Sequence, residues 1–551
     1  MSEYLSPSER TPLVAVSRPP ERRVSVSRGA GIITLMGLFT LIQSTNMSMM
    51  TTAQSSIAAD LDAFAETTWF TSSYMIAMSS VTPLAGRISA IFTPRIYIVF
   101  SSTIMAIGLF ITAAASTLTV FLLGRSVAGI GSGGLMSATI ILALDLASST
   151  RRGLFIGLIS TGYTVGLSSG AVLAGLLAPT LGWRFLFWSQ APISLLLGPL
   201  LFFVIPTVSE DSAEEEKVSL FDQLARVDYA GSLTLVWPFL GSTSQINKIQ
   251  AISVVLLLSS LASPEIIIWP ISASAILFGL FLLIESRWAR EPVIPVHVLR
   301  TRSVMLSCVS SLGLMMARWS VLFYTPIYAM AVRGWSPASA GLILVPTNAG
   351  FGIGGLLVGW LHIRQVGSYY MSCLTIFVLF TGATCALSFL STPTSLTAIY
   401  LGAAFLNGLF AGALMNYTLS HLLHLTHSNV HYIVTALIGM SRGFAGSFGS
   451  AVGGGFFTRI LKNSLEAGFS KHGLSPRPHL VHTLLGSPAT VMHLEGLERV
   501  VAVESYEHAV RMLFIAGAGV ALLSTLFQAG TGSDSAHSSN RMRDSEDANE
   551  A

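Results

Sequence analysis

The chain is 551 residues long, 52% hydrophobic and only 10% charged, with a formal net charge of +3. A soluble chain normally carries roughly a quarter charged residues, whereas this one holds repeated apolar runs long enough to cross a bilayer, so a water-soluble globular protein is excluded. The small net charge gives no footing for nucleic acid, and Cys308, Cys373 and Cys385 all lie in apolar segments, which argues against an extracellular disulfide framework.

Residues 1–30 read as a cytosolic tail carrying Arg10, Arg18, Arg22, Arg23 and Arg28, with ERTPLV (9–14) resembling a dileucine sorting signal that ends in Val. The span that follows lacks a small-residue cleavage site and reads as a retained first helix, not a removed signal peptide. Spans are predicted near 31–52, 68–88, 96–115, 119–145, 154–178 and 184–206, which makes 31–206 a first six-helix bundle. An acidic linker, 207–227, comes next, and 228–290 holds two additional helices, the second at 266–286. The first of this pair is interrupted by a proline and the polar patch GSTSQINKIQ. Omitting Trp237 to Ala251 would restore one clean span, so 237–251 reads as an insertion or a gene-model error. Further spans are predicted at 303–330, 335–361, 368–391, 395–424 and 432–457, giving 291–457 as the helices of a second bundle. Residues 458–508 read as an extracytosolic loop, 509–528 as the last span, and 529–551 as a disordered cytosolic tail.

Orientation follows from basic residues in short loops. Arg87 and Arg95 follow the second span, Arg151 and Arg152 the fourth, and Arg287, Arg290, Arg300 and Arg302 the eighth, while the loop after the first span has acids and no Lys or Arg. Both termini are therefore expected in the cytosol. The sequons at Asn46 and Asn416 fall inside spans, where glycosylation cannot reach.

The first span, LIQSTNMSMMTTAQSSI at 41–57, is crowded with amides, hydroxyls and thioethers. At about 100° per residue Gln43, Asn46, Met50 and Gln54 share one stripe. Facing lipid would cost several kcal/mol, so the stripe is expected to face the interior, for substrate contact or for interhelical hydrogen bonds alone. Arg125, in GRSVAGIGSGG (124–134), and Arg318, in LMMARWSVLFY, are costly intramembrane cations. Each reads as a transport residue or as a structural group, an anchor for Arg125 and a snorkelling side chain for Arg318. Gln190, Asn348, Asn407 and Asn416 are candidates of the same kind. Gly162, Gly166 and Gly170 give the fifth span a flat face for close helix contact, and GWRFLFW (182–188) reads as an aromatic interfacial girdle. Asp145, near Arg151 and Arg152, reads as a helix-end ion pair or gate. His421, His424, His427 and His431 are too loosely spaced for a metal site, so neither metal nor cofactor is expected. No GxxxxGK[ST] loop or nucleophile–base constellation occurs, which argues against an ATP-driven pump and an enzyme.

PLAGRISAIFTPR (83–95), RSVAGIGSGG and GYTVGLSSGAVLAG, in this order and spacing, resemble the loop, fourth-span and fifth-span motifs of the major facilitator superfamily. The arrangement of six, two and six spans is similar to its fourteen-span drug:proton antiporter-like branch, widespread in fungi. That resemblance implies an all-α membrane fold of two six-helix bundles plus two extra helices, alternating access around a midplane site, and gating roles for Gly86, Arg95, Asp145 and the glycines of the fifth span. It also implies efflux of a drug, toxin or secondary metabolite, with protons as the coupling ion. The chain departs from the family pattern at Ala90 and Thr93, where an Asp and a Gly are usual, at Leu167, where a Pro is usual, and at Asn46, where the branch commonly has an Asp. With Arg125 and Arg318 inside the spans and no carboxylate near their middle, a neutral or weakly acidic cargo is favoured over a cationic one, moved either by facilitated transport or with proton coupling through Asp145. The rival readings are a vacuolar basic amino-acid transporter and a non-transporting nutrient sensor. A monomer in the plasma membrane, rather than the vacuolar membrane, is the expected form.

Overall fold

A computed structural model describes residues 26–91, 93–146, 152–205, 257, 260–261, 268–269, 271–277, 301–359, 369–426, 430–474 and 477–533. The tails, the linker 207–227, nearly all of 228–290 with the insertion 237–251, and the side chains of Gly86 and Asp145 lie outside this set.

The first half holds α1 (Val26–Ser48), α2 (Met50–Leu61), α3 (Thr67–Ile91), α4 (Thr93–Ala113), α5 (Leu118–Leu146), α6 (Arg152–Leu181) and α7 (Trp183–Val204). The second holds α8 (Arg302–Ala331), α9 (Pro337–Leu342), α10 (Leu344–Leu357), α11 (Tyr370–Leu390), α12 (Thr397–Leu425), α13 (His431–Lys471), α14 (Pro478–Gly486), a 3₁₀ turn (Pro488–His493) and α15 (Gly496–Ala529). Among the described residues, 10 helices are long and apolar enough to cross a membrane. With α3 and α13 these complete two sets of six passages, α1–α2 and α9–α10 each counting as one.

The hydroxyls of the first span are mostly answered within it. Thr40 donates to the Met36 carbonyl (2.8 Å), Ser44 to that of Thr40 (2.7 Å) and Thr51 to that of Ser48 (2.7 Å), which lets a polar helix lie in an apolar setting with Ser55 as its one hydroxyl left buried and unpaired among the described residues. Met49 keeps helical dihedrals, and its carbonyl accepts from the Ala53 amide, so α1 and α2 form one rod bent at a single residue.

Glycine sets the packing inside each half. A Cβ on Gly129 or Gly133 of α5 would lie 2.3 Å from the Tyr74 carbonyl or 2.4 Å from that of Met78, on α3. A Cβ on Gly408 or Gly412 of α12 would lie 1.8 Å from the Thr347 carbonyl or 2.0 Å from that of Phe351, on α10. The same small-xxx-small device thus docks the fourth passage of each half on its second, as a parallel repeat requires.

The segment expected as the loop 458–508 is instead largely helical. Helix α13 runs on to Lys471 and α15 starts at Gly496, well before residue 509. Between them α14 and the 3₁₀ turn form a strap bounded by Gly473 (φ 65°) and Gly496 (φ 58°), conformations that suit glycine. Their apolar residues Val481, Leu484, Leu485 and Val491 are buried, and the Tyr506 hydroxyl of α15 donates to the Leu484 carbonyl. This burial is why the segment folds rather than loops. The strap rests on the first half, Gly486 lying against the Phe64 backbone and His482 edge-on to the Phe64 ring.

The two halves also meet directly. Near the strap a Cβ on Gly175 of α6 would lie 2.5 Å from the Ala338 amide of α9, and one on Gly341 would lie 2.7 Å from the Ala171 backbone. On the opposite flank α3 meets α13 through Ser72 and Ser450 (3.1 Å), and Ser79 donates to the Gly443 carbonyl (3.0 Å).

Candidate functional site

The predicted polar residues gather in two clusters. In the first half, Arg125 is fully buried. Its Nε donates to the Phe70 carbonyl (2.9 Å), its Nη1 donates to Asn46 Oδ1, and the guanidinium lies 4.5 Å from the centre of the Tyr74 ring. Asn46 Nδ2 donates onward to Gln190 Oε1 (3.3 Å), whose own Nε2 donates to the Leu186 carbonyl (3.0 Å). Gln43 Nε2 donates to the Ser132 carbonyl (2.8 Å), and the Tyr74 hydroxyl meets the Ser132 hydroxyl. Helices α1, α3, α5 and α7 are thereby tied by one uncharged network around one cation. Asn46 acts as donor and acceptor at once, which a carboxylate in its place could not do.

In the second half, Arg318 is 4% exposed. Its Nη2 donates to Asn348 Oδ1 (3.2 Å), and its guanidinium stacks 4.0 Å from the centre of the Phe351 ring. Arg318 Nη1, Asn348 Nδ2 and Thr347 Oγ1 are buried without a hydrogen-bond partner. Among the described residues neither Arg125 nor Arg318 has a carboxylate within ion-pair distance; the pairs present are Arg184–Asp60 (2.8 Å) and Arg477–Glu498.

The Arg318 cluster borders the first half. The Tyr163 hydroxyl of α6 lies within electrostatic reach of Arg318 and contacts Met47 Sδ at 3.9 Å. Beside Phe351, Gly352 faces Thr164 of α6. Trp319, stacked on Phe323 at 5.3 Å, meets Met75 of α3 at Gly446 of α13. The boundary between the halves at this depth is thus formed by two thioethers, aromatic rings and one incompletely paired guanidinium.

The remaining predicted residues lie elsewhere. Met50 is buried, and Gln54 lines a small pocket near the strap with Thr67, Tyr324, Phe457 and Tyr506, away from Asn46. Asn407 donates to Thr384 Oγ1 (2.9 Å) inside the second half, and Asn416 to the Gly355 carbonyl (2.6 Å). Arg95 staples α4 to the Phe202 carbonyl at the end of α7 (3.0 Å from Nε). Gly162, Gly166 and Gly170 all face α1, where a Cβ on Gly166 would lie 2.4 Å from the Leu41 carbonyl. Arg184 of the aromatic girdle pairs with Asp60 and donates to the Ala115 carbonyl (2.9 Å).

Two residues were passed over in the sequence. Tyr163 is the lone aromatic among the small residues of GYTVGLSSG, which was a readable signal. Arg442 of α13 is a further intramembrane cation, donating to the Met415 carbonyl (2.8 Å) and Thr418 Oγ1 (2.7 Å).

Two bundles repeating one packing scheme, joined across a boundary lined with polar and aromatic groups, define a membrane transporter. The family model of the Major Facilitator Superfamily matches residues 34–450, and the chain belongs to that family. It is 26% identical over 499 residues to "MFS-type transporter clz4" of Cochliobolus lunatus, covering 90% of this chain and 84% of that one. It is 25% identical over 509 residues to "Efflux pump FUS6" of Gibberella moniliformis, covering 87% and 85%. Among solved structures it is similar to a bacterial homologue of the human lysosomal transporter Spinster, with TM-score 0.55, 12% identity and coverage of 92% and 98%. The protein is an integral, multi-pass transporter of small molecules and not an enzyme.

Proposed function

We propose that the protein exports a small organic molecule, neutral or weakly acidic, by rocking its two halves about the boundary between α3, α6, α8, α10 and α13. The observation that carries this reading is the incompletely paired Arg318–Asn348 couple, stacked on Phe351 next to Gly352, which faces Thr164 of the other half, on the same boundary where Trp319 and Met75 meet. Aromatic rings and thioethers adapt to varied apolar shapes, and the amides bind without titrating. The relative named as an efflux pump supports the direction.

Within this reading Arg318, Asn348 and Tyr163 contact cargo, while Gln43, Asn46, Arg125 and Gln190 hold the first half in shape beneath it. Met50, Gln54 and Asn407 stand further from that boundary and tune the path. Gly162, Gly166 and Gly170 keep α1 and α6 moving as one body, and Gly86, Arg95 and Asp145 serve the cytosolic gate. The protein acts as a monomer in the plasma membrane, with both termini in the cytosol and the strap outside. A basic amino-acid cargo is disfavoured because the described cluster offers cations and no carboxylate.

Deletion of the gene followed by metabolite profiling tests the direction: intracellular build-up of an organic product is expected, and unchanged profiles would overturn export. Flux in proteoliposomes with and without an imposed pH gradient tests the coupling, and identical rates would sink a proton-driven mechanism.

A further inference from the structure

We propose that Arg318 and Asn348 form an oxyanion subsite, so that the cargo carries one carboxylate or comparable oxyanion beside an apolar, ring-bearing body. This deepens the transport reading and rests on it. Arginine presents in-plane donors that no other side chain matches for a planar carboxylate. The Phe351 ring covers one face of the Arg318 guanidinium, and Asn348 Oδ1 takes one edge donor. That bond fixes the amide's orientation, because a guanidinium can meet only the oxygen of Asn348. It leaves Arg318 Nη1 and Asn348 Nδ2, on two directly bonded side chains, both buried and both without an acceptor.

Water could satisfy the donors but would leave the charge uncompensated. A carboxylate satisfies both at once. Arg125 also keeps an unpartnered Nη2, but its Nε and Nη1 are taken by Phe70 and Asn46, two aromatic rings flank it inside the first half, and both amide groups of its Asn46 partner are engaged, so it offers no second free donor beside its own. The stacked Trp319–Phe323 pair and Met75 adjoin the same boundary and supply a wall for the apolar body.

The test uses the purified full-length chain and pairs of isosteric probes, benzoate against benzamide and 1-naphthoate against 1-naphthamide, read by thermal unfolding in detergent. Each acid is expected to raise the unfolding midpoint at concentrations at least ten-fold below those its amide needs, the naphthoate more strongly than the benzoate. Arg318→Gln should abolish the preference for acid. Arg442→Gln, which removes another, half-buried arginine from the helices of the same half, should retain it. Equal shifts from acid and amide, or an acid preference that survives Arg318→Gln, would overturn the subsite. Because binding is read without a gradient, acid binding with no flux would defeat the transport reading alone. Export that ignores the acid group would defeat the subsite alone.

Discussion

The two halves use one packing scheme and fill it differently. In both, a glycine pair on the fourth passage presses against carbonyls of the second, Gly129 and Gly133 on α3, Gly408 and Gly412 on α10. The first half ties Arg125 to two acceptors on two helices and leaves only its Nη2 unpartnered, while the second leaves Arg318 with one protein acceptor and a ring. Backbone contact in this fold is therefore separable from polar content. The shared element makes a rigid body, and the unequal element decides which body meets cargo.

The largest effect is expected from breaking what the halves share. Gly408→Leu would place its side chain where a Cβ alone lies 1.8 Å from the Thr347 carbonyl. Backbone cannot yield there, so loss of folded protein is expected, read as failure to extract a monodisperse species. Gly382→Leu, at a glycine with open space around it, should express normally. Normal yield from Gly408→Leu would show that α10 and α12 are not the rigid pair assumed.

Next comes the unequal element. Arg125→Gln cuts the ties from α5 to the Phe70 carbonyl of α3 and to Asn46 of α1, and leaves Asn46 Oδ1 buried without a donor at about 1–3 kcal/mol. Arg318→Gln loses a single side-chain bond, worth ~0.6 kcal/mol on average between membrane helices. Thermal unfolding without ligand should therefore fall far more for Arg125→Gln, whereas flux should be lost in Arg318→Gln with its fold intact. The reverse order would exchange the roles of the two arginines.

A third, smaller effect tests whether the first network can be made to titrate. Asn46→Asp would still accept from Arg125 but could no longer donate to Gln190. It introduces a carboxylate into a cluster that has none among the described residues. Flux in proteoliposomes should become severalfold more dependent on an imposed pH gradient than that of the native chain. Equal dependence in both would mean that the coupling group lies elsewhere, Asp145 being the first to examine.

Much of the fold was legible because spans announce themselves by length and apolarity, and the motifs at 83–95, 124–134 and 162–175 carry the family resemblance. Helical periodicity turned Gln43 and Asn46 inward, and both are buried. It could not say whether an inward amide meets cargo or a neighbouring helix, because that depends on partners far along the chain, Ser132 for Gln43 and Arg125 with Gln190 for Asn46. The stripe also placed Gln54 with Asn46, yet two turns of helix carry it to the strap end. The helical strap was missed because its polar residues diluted an amphipathic pattern whose apolar side is buried only against another segment.

The smallest expected effect concerns that strap, which belongs to the second half by sequence and rests on the first. Gly486→Ala would place its Cβ 2.5 Å from Phe64 Cα and from the Phe64 carbonyl oxygen, so either the strap or the α2–α3 connection must shift. The strap is the softer of the two, being short and bounded by Gly473 and Gly496. The global unfolding midpoint should move little, since neither bundle's helix contacts are touched, while limited proteolysis between residues 473 and 496 should accelerate. Unchanged cleavage would place the strap among the rigid parts of the second half. Faster cleavage with a normal midpoint would mark it as the segment that yields when the halves part.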